Sequence, residues 1–101
     1  MHVRPLSTVI KCMTLLDKIS EMPSSVRISE MAKLMGESRA TTYQRLFTLT
    51  EAGWLERLPD GSFRLTVKAN QIGAAAIRQA GFDSRAQLIL DEVAMELGEA
   101  I

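Results

Sequence analysis

A short stretch of the chain concentrates Ser38, Arg39, Thr41, Tyr43, Gln44 and Thr48, with Ala40 and Arg45 between them. The chemistry these side chains offer is hydrogen-bonded recognition, not bond making. A guanidinium such as that of Arg39 can pair bidentately with guanine O6 and N7 or grip a phosphate; the plainer alternative is a solvated surface arginine. Gln44 suits adenine N6 and N7 by the same two-bond logic. The hydroxyls of Ser38 and Thr41 fit phosphate oxygens, and Ser38 equally fits a helix N-cap. Tyr43 has the shape to lie on a sugar–phosphate or cover a thymine methyl, with core packing as its rival. Elsewhere, Arg64 is a candidate minor-groove or phosphate contact, and Arg27 a weaker phosphate candidate.

Other chemistries find little support. No Cys/His cluster, no glycine-rich phosphate loop between strand and helix, and no base beside a nucleophile is present, so neither catalysis, a metal nor a cofactor is expected. Cys12 is the lone cysteine; it sits in an apolar stripe and reads as a small core residue. His2 has no second ligand nearby. No apolar run reaches the ~18 residues of a membrane span. The first residues lack the pattern of a signal peptide, and with a single thiol a reducing cytoplasm is expected.

For these side chains to act together, elements must hold them. The 101 residues suffice for one compact domain and some additional chain, and 47% hydrophobic content fits a folded, mainly helical protein. Ser7 is expected to cap a first helix with Val9, Cys12, Met13, Leu16 and Ile19 inward; Met22-Pro23-Ser24-Ser25 ends it. Val26-Arg27-Ile28 reads as an extended lead-in. Ser29 is expected to cap a second helix with Ile28, Met31, Ala32 and Met35 inward and Glu30 in its first turn. Gly36 stops that helix and Ser38 caps a third from about Arg39 to Ala52. Its inward stripe is Thr42, Leu46 and Leu49; its outer face carries Arg39, Ala40, Tyr43, Gln44 and Thr48.

After Gly53 the period changes from helical to alternating. Leu55-Glu56-Arg57 and Phe63-Arg64-Leu65 flank Pro59-Asp60-Gly61-Ser62, a strong turn signal, so a β-hairpin is predicted. Trp54 is expected to pack this hairpin onto helix three. Beyond Thr66 the helical period returns, with a small-residue stripe at Ala69, Ile72, Ala76 and Ala80. A last amphipathic helix is expected after Phe82, capped by Asp83 or Ser84, with Ala86, Ile89, Leu90, Val93 and Leu97 on one face and Gly98 closing it.

The unit of helix, tight glycine turn, helix and hairpin is a winged helix-turn-helix, mainly α. Such a unit lays its second helix in the DNA major groove. Charge alone does not say so. The net charge is zero, with nine Lys/Arg against seven Asp/Glu in residues 1–66 and three against five in 67–101. A phosphate backbone needs only a local basic stripe.

The runs Ile28–Gly36, Arg39–Leu49, Glu51–Leu55 and Asp60–Leu65 resemble the N-terminal domain of the isocitrate-lyase-regulator (IclR) family of transcription regulators. The resemblance continues past the hairpin: 67–81 looks like the family's linker helix and 82–101 like the start of its effector-binding domain, up to the next strand. It implies a reading head over 1–66, sequence-specific binding of a double-stranded DNA operator with about residues 38–52 in the major groove, and a homodimer through helix one and the linker and C-terminal helices. It also implies that a longer native chain would continue for roughly ~150 residues to take a small-molecule effector. Gln44 stands where relatives commonly carry Arg, and Arg45 where they carry an apolar residue, a displacement of charge by ~100° round the helix. The rival from another class is a winged helix serving protein interaction and oligomer assembly without DNA. A stand-alone regulator with its own ligand pocket would need a cavity among the Met and Leu side chains.

Overall fold

The computed structural model describes residues 2–81 and 87–100. Its order is α1 (Ser7–Ser20), α2 (Ile28–Met35), α3 (Arg39–Glu51), β1 (Leu55–Arg57), β2 (Phe63–Leu65), α4 (Lys68–Gln79) and α5 (Gln87–Ala100). The chain forms two units, Met1–Lys68 and Ala69–Ile101.

In the first unit three helices and the hairpin enclose one core: Leu15, Ile19, Val26, Met31, Leu46, Leu49, Leu55 and Phe63. All eight are buried, and Cys12, Leu16, Met22, Ile28, Met35, Trp54 and Leu65 pack around them half-buried. The stripes expected for α2 and α3 are the ones that face this core. The stripe of α1 is different. Leu15 is its most buried residue, whereas Val9 and Met13 lie outside, about half exposed. The segment is apolar on more than one side, so helical spacing fits two stripes, and the core takes the one through Cys12, Leu15, Leu16 and Ile19.

Two expected caps are displaced. The residue before α1 is Leu6, whose carbonyl accepts from the N–H groups of Val9 and Ile10, both at 3.1 Å, and Ser7 is already helical. Helix α2 starts at Ile28, two residues earlier than a Ser29 cap requires. The Arg27 N–H that precedes it donates to the Glu30 carboxylate at 3.4 Å. That contact closes one half of a capping box and sets an anion in the first turn, where the helix dipole favours it.

Gly36 ends α2 at φ 65°, the left-handed conformation that turns the chain into α3 within three residues. Ser38 caps α3 as expected: its Oγ accepts from the Thr41 N–H at 3.1 Å. Gly53, at φ 88°, redirects the chain into the hairpin. There Leu55 pairs with Leu65, Glu56 with Arg64 and Arg57 with Phe63, antiparallel. The extended lead-in also pairs: Val26 and Phe63 exchange N–H···O bonds of 2.8 and 2.9 Å, adding a third strand position. Lys68 finishes the unit, donating to the Ala52 carbonyl at 2.7 Å and setting its ammonium over the Trp54 ring.

In the second unit, α4 buries none of its residues; Ile72 and Ile77 are about half exposed. Helix α5 exposes Leu88, Ile89, Leu90, Val93, Met95 and Leu97. It runs through Gly98 to Ala100, so Gly98 does not close it and no strand begins before 101. Within a helix a glycine costs about 1 kcal/mol against alanine, too little to stop it unaided. The expected cap at Asp83 or Ser84, with Phe82 and Ala86, lies outside the described residues.

Candidate nucleic-acid interface

Helix α3 is anchored along Thr42, Leu46 and Leu49, all at most 2% exposed. A helix buried on one side must present the other, and Arg39, Ala40, Tyr43, Gln44, Phe47 and Thr48 are all exposed there. The helix enters this face with its N-terminal N–H groups forward, and its first turn carries no acidic residue.

Not every polar group on α3 is free. Ser38 Oγ donates to Thr41 Oγ1 at 3.0 Å while capping the helix, so the two hydroxyls act as a local pair. The Thr48 hydroxyl turns back to the Gln44 carbonyl at 2.7 Å. Arg45 is drawn inward: Nε and Nη2 donate to the two Glu37 carboxylate oxygens at 3.0 and 2.7 Å, with side chains 12% and 19% exposed. The guanidinium bonds hold the Glu37 carboxyl below the usual carboxylate range. They raise the Arg45 value in turn. Arg45 thus braces the turn against α3. Arg45, expected among the DNA contacts, is occupied elsewhere. Among the described residues no ion pair engages Arg39.

On the hairpin, Arg64 lies opposite Glu56 and their side chains pair, both about half exposed. Arg27 reaches the hairpin turn, donating to the Asp60 carbonyl at 3.2 Å and to its carboxylate at 3.3 Å. Asp60 is itself set by Ser62, whose hydroxyl and N–H both bond Oδ1. Those bonds first, and Arg27 second, hold the Asp60 carboxyl below its usual range. Arg27 and Arg64 are therefore exposed cations already balanced by partners.

Two residues not anticipated from sequence join this face. Phe47, one turn beyond Tyr43, is half exposed, and the two rings stack with centroids 6.4 Å apart and planes 23° from parallel. Arg57, at the end of β1, lies over both the Tyr43 and Phe63 rings at 5.4 and 5.3 Å and donates to the Tyr43 hydroxyl at 3.3 Å. Tyr43 therefore belongs to the surface and not to the core. The i, i+4 spacing of Tyr43 and Phe47 on the outer face was the available signal.

A groove of about 390 Å³ opens between α1 and α3, lined by Val9, Cys12, Met13, Gln44, Leu49 and Trp54 among others. Among the described residues no cluster of His, Cys, Asp or Glu is arranged to hold a metal, and no helix is long and apolar enough to cross a membrane.

A family model described as the IclR helix-turn-helix domain matches residues 8–59. The chain belongs to this family. XynR of Escherichia coli, an HTH-type transcriptional regulator, is 26% identical over 95 residues, which cover 93% of this chain and 38% of the relative. KipR of Bacillus subtilis, also an HTH-type transcriptional regulator, is 27% identical over 94 residues, covering 93% of this chain and 37% of the relative. The chain thus spans little more than a third of the length of the curated relatives it matches. The crystal structure of IclR from Thermotoga maritima matches with a TM-score of 0.65 at 28% identity, covering 71% of this chain and 29% of that one. An IclR transcriptional regulator from Alicyclobacillus acidocaldarius matches at 0.66, covering 72% of this chain and 30% of that one. Its 20% identity speaks to the fold alone. The fold is the winged helix-turn-helix of DNA-binding transcription regulators, and the relatives named are regulators, not enzymes.

Proposed function

We propose that this IclR-type domain binds double-stranded DNA sequence-specifically to control transcription, with α3 in the major groove and the hairpin on the adjacent backbone. The observation that carries this reading is the outer row of Arg39, Ala40 and Gln44. It is exposed at the start of a helix whose opposite face is buried, and no ion pair among the described residues engages Arg39. Arg39 and Gln44 read base edges; Ser38, Thr41, Tyr43 and Thr48 line the approach; Arg64 and Arg27 meet phosphates by exchanging their carboxylate partners. Arg45 positions α3 through Glu37 and makes no contact.

In this reading residues 1–66 are the reading head, 67–81 a linker helix and 82–101 the start of an effector-binding domain completed by a longer native chain, which would take the small-molecule effector. The protein works in the cytoplasm, at the nucleoid, as a homodimer. Self-association is supported by apolar surface that the chain leaves open: Val3, Leu6, Val9, Ile10 and Met13 at and before α1, and separately Ile72 and Ile77 on α4 and Leu90, Val93 and Leu97 on α5. A second copy is the commonest way to bury such stripes.

The test is duplex binding across a salt series. Apparent affinity falls with salt at a log–log slope of about 0.9 per neutralised phosphate. No duplex binding at low salt would overturn the proposal in favour of a protein-interaction module.

A further inference from the structure

The outermost line of α3 is not wholly polar. Phe47 follows Ala40 and Gln44 on the same side of the helix, with Tyr43 flanking it toward the hairpin. Phe47 is half exposed although it belongs to a helix whose opposite face, Thr42, Leu46 and Leu49, is buried. The Tyr43 ring stacks on it, and Tyr43 is itself 38% exposed. Arg57 braces this pair from the hairpin, with its guanidinium over the Tyr43 ring and a bond to the Tyr43 hydroxyl. The ledge is thus held in place before any partner arrives.

We propose that the Tyr43–Phe47 ledge reads the 5-methyl groups of thymines in the major groove, making methylated pyrimidine a specificity determinant of the site. The inference rests on the DNA-binding reading above and adds to it the class of base edge recognised. The thymine methyl is the one apolar group on the major-groove edges of the bases, and aromatic or small apolar side chains are what contact it. The ledge shares its helix face with Gln44 and has Arg39 and Arg57 beside it, so an apolar patch sits among cations, as a polyanion with apolar methyls requires.

The experiment begins with duplexes enriched from a random pool by the 101-residue chain. The tightest duplex is then resynthesised with deoxyuridine replacing each thymidine in turn, which removes only the methyl. Wild-type protein is expected to lose affinity about fourfold at one or two positions per half-site, what burial of one methyl-sized group is worth, and to be indifferent elsewhere. Phe47→Ala, at an exposed position, is expected to bind thymidine and deoxyuridine duplexes alike at one of those positions. Selective binding with no deoxyuridine effect anywhere would overturn the inference and leave the DNA-binding reading standing. So would a fourfold effect unchanged in Phe47→Ala, which assigns the methyl reading to another group. Failure to enrich any duplex would remove both.

Discussion

Arg45 and Glu37 form a bidentate ion pair, with Nη2 2.7 Å and Nε 3.0 Å from the two carboxylate oxygens, across the turn that joins α2 to α3. Helix α3 is thereby tied to the residue that precedes its cap. Glu37→Gln and Arg45→Ala are both expected to lower the thermal midpoint, Arg45→Ala more, because it leaves a largely covered carboxylate without its partner. The pair also gives a pH signature. Because the folded-state value of Glu37 is depressed, its contribution is full above the ordinary glutamate value near ~4.3 and is lost as pH falls from there through the folded value. The acid limb of a stability–pH profile should be shallower in Glu37→Gln than in wild type. Identical limbs would show that the pair does not act in solution as it does here.

The anchor of α3 is tested by truncation. Leu46 is fully buried and Leu49 nearly so. Replacing either with alanine should cost about 2–5 kcal/mol, a large part of the stability of so small a domain. Denaturant melts give the number, and wild-type behaviour in both variants would mean that another face of the helix is buried.

Thr42 makes the opposite prediction. Its hydroxyl is fully buried and has no hydrogen-bond partner among the described residues. Thr42→Val keeps the shape and the β-branch while removing the stranded group. It should be stabilising by about 1 kcal/mol. A loss of stability would reveal a partner for the hydroxyl.

Gly36 has open space where a Cβ would stand, so the cost of Gly36→Ala is conformational alone. At φ 65° that cost should be about 1–2 kcal/mol, read from the same melts. A smaller loss would mean that the turn relaxes out of the left-handed conformation.

The sequence makes α3 legible because the stripe of Thr42, Leu46 and Leu49 is set against a mostly polar remainder, Arg39, Thr41, Gln44, Arg45 and Thr48. It makes α1 less so. Val9, Ile10, Cys12, Met13, Leu15, Leu16 and Ile19 are apolar round most of the helix, and only packing against α3 and the hairpin selects the side through Leu15. The Val26–Phe63 bridge was beyond reach because a single pair of residues leaves no alternating pattern. At the interface, the exposed row of Arg39, Tyr43, Gln44 and Thr48 follows from the helical period. The capture of Arg45 by Glu37 and the bracing of Tyr43 by Arg57 do not, since each joins residues from different elements. Phe47 was overlooked because an apolar residue beside Leu46 looks like part of the anchor, although the helix turns it the other way.

The most direct test of the account compares Arg39→Ala, Gln44→Ala and Arg64→Ala on duplexes selected from a random pool. Arg39→Ala should cost about 1–3 kcal/mol on the preferred site and relax selectivity at one position, and Gln44→Ala should relax another. Arg64→Ala should weaken binding to all sequences alike and reduce the salt slope by about one. Equal, sequence-independent losses from all three variants would contradict base reading by α3.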